Sequence, residues 1–241
     1  MPAERPRVTV HNLVSLDGRL DGFAADVGLY YELAAAIPHQ AVLTGSATIL
    51  AAAAAEGVDM STEDPIVADG PSPAPDDGPA PDDGPPWLVI VDSGGRVTRL
   101  GWLRNQPHWR DVLVLCSAAT PAEHLDRLRR RGVTHHFVGP DRVDLAAALR
   151  LLAAEYRVDA VRVDAGGALN GALLRAGLVD EISLVIAPHL VGDRPAPPRH
   201  LVAGLARGGA GHLALVAIER LRDDHVWLRY EVRGPARPAM G

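Results

Sequence analysis

One stretch constrains the fold more than any other: Val161 to Gly192, VRVDAGGALNGALLRAGLVDEISLVIAPHLVG. Val161 and Val163 alternate with Arg162 and Asp164, the two-residue period of a short strand that ends on a carboxylate. Gly166 and Gly167 follow at once. Leu169, Leu173 and Leu174 then recur at helical spacing over Ala168 to Ala176, and Gly177 stops the helix. Ile182, Leu184, Val185 and Ile186 predict the next strand, closed by Pro188.

A strand that runs through glycines into a helix can make an anion site. The helix start turns unpaired N–H groups and its positive dipole end toward the gap. A nucleotide phosphate would fit there, on the backbone of Gly166, Gly167, Ala168, Leu169 and Asn170. The bland alternative is a tight turn that binds nothing. A Rossmann dinucleotide fold fits poorly. Gly166, Gly167 and Gly171 do not space as G-x-G-x-x-G, and the acidic residue expected about 20 positions on would fall near Ile186 in an apolar strand.

The run D-A-G-G-A-L-N-G-A-L-L-R-A-G-L-V-D-E, Asp164 to Glu181, resembles the C-terminal reductase domain of the bifunctional riboflavin-biosynthesis deaminase/reductase. The resemblance implies a dihydrofolate-reductase-like fold: three-layer α/β/α, with a mostly parallel mixed sheet and a C-terminal antiparallel hairpin. It implies an NADPH-dependent reductase that converts the ribosyl group of an aminopyrimidine to ribityl. Asp164 stands where the family has a substrate-contacting glutamate. Relatives of this domain are dimers, so a homodimer is expected.

The resemblance extends along the chain. Arg7 to Leu13 predicts a first strand, followed by Ser15-Leu16-Asp17-Gly18-Arg19. By resemblance, backbone near Leu13 contacts the cofactor and Asp17 faces the cleft as a possible proton source. Without it, Asp17 reads as a loop-capping aspartate. A helix is expected from Leu29 to Ile37 and a strand from Ala41 to Thr44. Then Thr44-Gly45-Ser46-Ala47-Thr48 leads into a helix over Ile49 to Glu56. Gly45 and Thr48 match cofactor-binding positions; alternatively Ser46 or Thr48 only caps the helix. After the strand Trp87 to Val91, Asp92-Ser93-Gly94-Gly95-Arg96 matches a D-S-x-x-R turn. Its Ser93 would contact the cofactor, and Arg96 the 2′-phosphate that distinguishes NADPH from NADH. The alternative is an exposed hairpin turn.

The chain also departs from the family. Where relatives continue A-D-D-P-x-L-T-V-R, this sequence reads Ile49-Leu50-Ala51-Ala52-Ala53-Ala54-Ala55, and a substrate-binding arginine falls near Ala36. Arginine is the usual bidentate phosphate ligand. Its loss opens a second reading, a reductase of a pterin or other non-phosphorylated heterocycle. A third, of another class, is a nucleotide-binding protein without catalysis. No H-x-E…C-x-x-C deaminase signature is present.

Further elements alternate: strands at Asp111–Cys116 and Thr134–Val138, helices at Ala122–Arg131 and Leu145–Tyr156, and a terminal pair of strands, His212–Arg220 and His225–Arg233. The alternation predicts a mainly parallel sheet covered on both faces, in one domain over residues 1–241. The basic run RLRRR reads as a solvated helix end. Asp59 to Pro86, with P-A-P-D-D-G twice, reads as a mobile loop inside that domain.

Composition narrows the classes. Hydrophobic residues make up 47% of 241, enough for a substantial core, and a net charge of −6 argues against nucleic acid as partner. One cysteine, Cys116, forbids an internal disulfide and suits a reducing cytoplasm. The N-terminus lacks a signal-peptide pattern, and no run is long and apolar enough for a membrane span. The scattered histidines show no metal-ligand spacing, so no metal is expected.

Overall fold

The computed structural model describes residues 4–62, 84–192, 199–204 and 212–233. Two compact units emerge, one over His39–Val161, the other over Arg7–Pro38 together with the chain from Arg162 onward. The chain opens the second unit with β1 (Arg7–Ser15) and α1 (Val27–Ala35). It then builds the first unit: β2 (Ala41–Gly45), α2 (Ser46–Ala55), β3 (Trp87–Val91), α3 (Leu100–Arg104), β4 (Val112–Cys116), α4 (Ala122–Arg130), β5 (Thr134–Phe137) and α5 (Leu145–Tyr156). Within β6 (Ala160–Val163) it passes back, and α6 (Gly167–Arg175), β7 (Glu181–Ala187), β8 (His212–Arg220) and β9 (Val226–Arg233) follow.

In the first unit the strands run in the order β5-β4-β3-β2, all parallel. The sequences WLVIV and VLVLC carry no polar alternation because both faces of these strands are covered. Leu88, Ile90, Val112 and Val114 pack with Leu100, Leu103 and Leu128 in one apolar core. The α5 helix begins where the Asp144 carboxylate accepts the Ala147 N–H at 3.0 Å.

In the second unit β1 pairs with β7 in parallel, and β9 and β8 continue the sheet antiparallel. Leu13 of β1 packs with Leu29 and Leu33 of α1 and with Val185 of β7. Asp26 caps α1, accepting the Leu29 N–H at 2.8 Å. The expected terminal hairpin is present, joined by a 3-10 turn at Arg222–Asp224. Its outer strand β8 exposes Leu213, Leu215, Val216 and Ile218.

Two readings need correction. Arg127 and Arg131 of the basic run are buried, not solvated; Arg127 Nη1 lies 3.3 Å from His124 Nδ1. The alternative that Asp92–Arg96 is a hairpin turn fails, because the segment joins β3 to α3 in a crossover between parallel strands. In the first residues of the expected loop, Asp59 accepts the Ser61 N–H at 2.8 Å, and Thr98 Oγ1 donates to the Met60 carbonyl at 2.7 Å. Residues 63–83 of that loop lie outside the described residues. Among the described residues no helix is long and apolar enough to cross a membrane.

Candidate functional site

The strand β6 ends at Val163 and leaves Asp164 on the corner before α6. Alternation buries Val161, Val163 and Ala165 on one side. Arg162 and Asp164 therefore share the other. Tyr30 of α1 joins them: its side chain lies close enough to both charges to feel them, and its hydroxyl donates to the His11 carbonyl at 3.4 Å. Asp164 is half-buried. Loss of water pushes its carboxyl up, and the Arg162 charge and the Tyr30 hydroxyl, which pull downward, do not cancel that. Burial and the Asp164 charge in turn push Tyr30 well above the ordinary phenol range. A carboxyl in this setting holds its proton more firmly than a solvated one, the direction a general acid needs.

A buried polar chain fixes Tyr30. Its ring stacks on His11 at a centroid distance of 4.7 Å. His11 Nδ1 lies 2.9 Å from Ser183 Oγ, which accepts the Trp227 indole N–H at 2.8 Å. The serine proton is then free for His11 Nδ1, which leaves Nε2–H for the Tyr30 carbonyl at 3.3 Å. This neutral tautomer satisfies every group in the chain.

The α6 start has no side-chain cap. The N–H groups of Gly167, Ala168 and Leu169 have no partner among the described residues. Arg199 stands beside this end: a Cβ on Gly166 would come within 3.8 Å of its Nη2. Among the described residues its guanidinium makes no ion pair. An anion would meet helix amides and a guanidinium together.

Gly167 and Gly171 serve another purpose. A Cβ on Gly167 would sit 2.5 Å from the His200 carbonyl oxygen, and one on Gly171 would collide with the Ala203 carbonyl oxygen. These glycines admit the chain's own segment 199–204, fastened by the Ala203 N–H to the Gly167 carbonyl at 2.9 Å. The close approach that these glycines allow is made by the chain's own backbone. The Asn170 N–H goes to the Gly166 carbonyl at 3.2 Å, and the Asn170 side chain serves the fold. It is fully buried, and its Nδ2 donates to Asn12 Oδ1, the Ala165 carbonyl and the Leu201 carbonyl at 3.0, 3.0 and 2.9 Å. It clamps β1, the corner and the segment 199–204.

Asp17 behaves unlike Asp164. It accepts the Ser15 hydroxyl at 2.6 Å, the Gly192 N–H at 2.8 Å and the Val191 N–H at 3.1 Å. These donors hold its carboxyl far below the usual range, the Ser15 hydroxyl most strongly. A carboxylate so reluctant to bind a proton is a poor source of one. Its hydrogen bonds fit the alternative reading of Asp17, a carboxylate that caps the loop. The Leu13 side chain is core, so only its backbone is left for a ligand.

In the first unit, β2 and β3 are in register with Gly45 opposite Val91. Gly45 and Thr48 therefore leave the same end of the sheet as Ser93 and Arg96. That is the carboxyl end of parallel strands, where open α/β sheets bind ligands. Ser46 opens α2, Gly45 is its cap residue, and neither Ser46 nor Thr48 caps it. The turn after β3 is rigid. Buried Asp92 accepts the Val97 N–H at 2.9 Å, and Ser93 Oγ accepts the Val143 N–H at 3.0 Å. Gly95 has φ +64°, and a Cβ there would lie 2.7 Å from His124 Cβ. On this mount Arg96 is exposed and makes no ion pair among the described residues.

Tyr30, Arg162 and Arg199 were not singled out from the sequence. Arg162 had a signal, a polar residue alternating in a strand otherwise valine. Tyr30 and Arg199 come to their places through tertiary structure alone. Among the described residues no group of three or more His, Cys, Asp or Glu is placed to hold a metal.

A family model described as the RibD C-terminal domain matches residues 6–226. The chain belongs to that family. A relative from Methanothermobacter thermautotrophicus, named 2,5-diamino-6-ribosylamino-4(3H)-pyrimidinone 5′-phosphate reductase, is 34% identical over 125 residues, 49% of this chain and 52% of that protein. Among solved structures, Acinetobacter baumannii RibD aligns with a TM-score of 0.66 at 22% identity, over 95% of this chain and 58% of the other. A pyrimidine reductase-like protein from Corynebacterium diphtheriae aligns at 0.67 and 17%, over 95% and 92%. This chain spans about half or less of the length of the curated relatives it matches. The likeness to the solved structures establishes the dihydrofolate-reductase-like α/β fold for this RibD C-terminal domain.

Proposed function

We propose that this RibD C-terminal domain is an NADPH-dependent reductase of the riboflavin-biosynthesis type, with the whole chain as one reductase domain acting in the cytoplasm. Its substrate is an aminopyrimidine like 5-amino-6-(5-phosphoribosylamino)uracil, whose ribosyl group becomes ribityl. The observation that carries the reading is the Asp164 corner, a half-buried acid engaged by Tyr30 where a strand turns into an uncapped helix. Family membership and the name of the archaeal relative support it.

Bound NADPH would supply the hydride. The amides of Gly167, Ala168 and Leu169, with Arg199, suit a cofactor phosphate. In the first unit Arg96 suits a second anionic group, such as the 2′-phosphate that marks NADPH. The Leu13 backbone, Gly45, Thr48 and Ser93 complete the cofactor contacts by resemblance. Asp164, protonated and positioned by Tyr30, delivers a proton to the substrate heteroatom beside the carbon being reduced. The exposed apolar edge of β8 suits a second copy of the chain, since an uncovered strand edge invites pairing.

The test is NADPH oxidation by the purified chain with the pyrimidinone 5′-phosphate named above and its uracil analogue. Turnover of either supports the proposal. Binding of NADPH with turnover of no candidate leaves the non-catalytic reading. The alanine at 36 and the uncharged run Ile49–Ala55, where the family pattern has its functional Arg and Asp side chains, favour a second reading in which the substrate lacks the phosphate. Equal turnover of the dephosphorylated compound would select it.

A further inference from the structure

Arg162 is only 3% exposed, and among the described residues neither its Nε nor its Nη1 has an acceptor. Buried guanidinium N–H groups without acceptors are costly, because they have given up water and received nothing in return. Its neighbours Asp164 and Tyr30 feel its charge but make no hydrogen bond to it among the described residues. Asp164, two residues on and on the same side of the chain, is half-buried and reaches the surface above it.

We propose that Arg162 and Asp164 together read the lactam edge of a heterocyclic substrate, a ring carbonyl adjacent to a ring N–H. Arg162 donates to the carbonyl oxygen. Asp164 faces the neighbouring N–H or heteroatom. A donor next to an acceptor is complementary to that edge. Arg162 is thus a specificity-determining residue, and discrimination against rings lacking the carbonyl follows from leaving its N–H groups unpaired. The inference rests on the reductase reading for its choice of ring, but its chemistry can be tested apart from that reading.

The experiment compares the wild-type chain with Arg162→Met and Arg162→Lys. It measures thermal stability alone and with each of four probes: the pyrimidinone 5′-phosphate, uracil, pterin and inorganic phosphate. Without probe, Arg162→Met should be at least as stable as wild type, since it removes an uncompensated buried charge. A marked fall would show that the guanidinium is already satisfied in the fold, and would overturn the proposal. At least one lactam probe should protect wild type, with affinity falling tenfold or more in Arg162→Met and partly restored in Arg162→Lys. NADPH affinity should be unchanged throughout. Protection by uracil or pterin but not by the pyrimidinone phosphate would sink the riboflavin reading and keep the pair. Protection retained by Arg162→Met, protection by no lactam, or protection by phosphate alone would overturn it.

Discussion

The second unit carries two aspartates that look interchangeable in the sequence and have opposite chemistry in the fold. Asp17 sits in a solvated loop where a hydroxyl and two backbone N–H groups converge on its oxygens. Asp164 sits half-buried at a strand end, beside the Tyr30 side chain and with little water around it. The first is held ionised, the second is pushed toward its neutral form. The same side chain becomes a structural staple where donors outnumber the losses of burial, and an acid where they do not.

The contrast breaks first, if it breaks, on Asp164→Asn. Loss of a general acid lowers turnover by about 10²- to 10⁴-fold, with NADPH affinity retained. Steady-state kinetics at saturating substrate check this; a change within twofold would remove Asp164 from the chemistry. The turnover of wild type should also fall as pH rises through the raised Asp164 value, because the acid form is the active one.

The next effect is on stability. Gly171→Ala forces a Cβ into the Ala203 carbonyl, backbone against backbone. Overpacking of this kind costs about 1–3 kcal/mol, readable by denaturant unfolding. An unperturbed variant would mean that segment 199–204 does not lie on α6, and the position of Arg199 would fall with it.

Much of this was legible in the sequence, and the limits have physical reasons. Trp87–Val91 and Leu145–Tyr156 were expected at the bounds they have, since an uninterrupted apolar run and a clear helical period are local signals. Asp164 and the uncapped α6 start were also legible, because strand, glycines and helix are consecutive. The purpose of Gly167 and Gly171 was not: a glycine reports that something comes close, and here it is the chain's own residues some thirty-odd positions on. Asn170 and Tyr30 depend on partners more remote still, Asn12 for the one and Asp164 for the other. The buried Arg127 escaped because a basic run looks the same whether water or protein covers it.

A finer test uses the pH dependence of unfolding. Asp17 is depressed in the fold, so its contribution is present above the unfolded value of about pH 4 and lost as pH falls toward its folded value. Asp164 is raised, so the sign reverses: wild type loses stability as pH rises from about 4 through the folded value. Relative to wild type, Asp164→Asn should therefore gain stability with rising pH, and Asp17→Asn should lose its disadvantage in acid. Chemical denaturation of the three proteins across that range checks both slopes, and parallel curves would erase the distinction between the two carboxyls.

The smallest expected effect is the most discriminating. Asp17→Asn keeps one acceptor oxygen, either for the Ser15 hydroxyl and Val191 N–H that share Oδ1 or for the Gly192 N–H on Oδ2, and replaces the other with a donor that faces donors. The loop should loosen, and the melting temperature should fall by a few degrees at neutral pH, while turnover at saturating substrate stays near that of wild type. A large loss of turnover with unchanged stability would invert the assignment: the staple would then be the acid, and hydrogen bonds that lock a carboxylate in its charged form would have to be remade in the reacting complex.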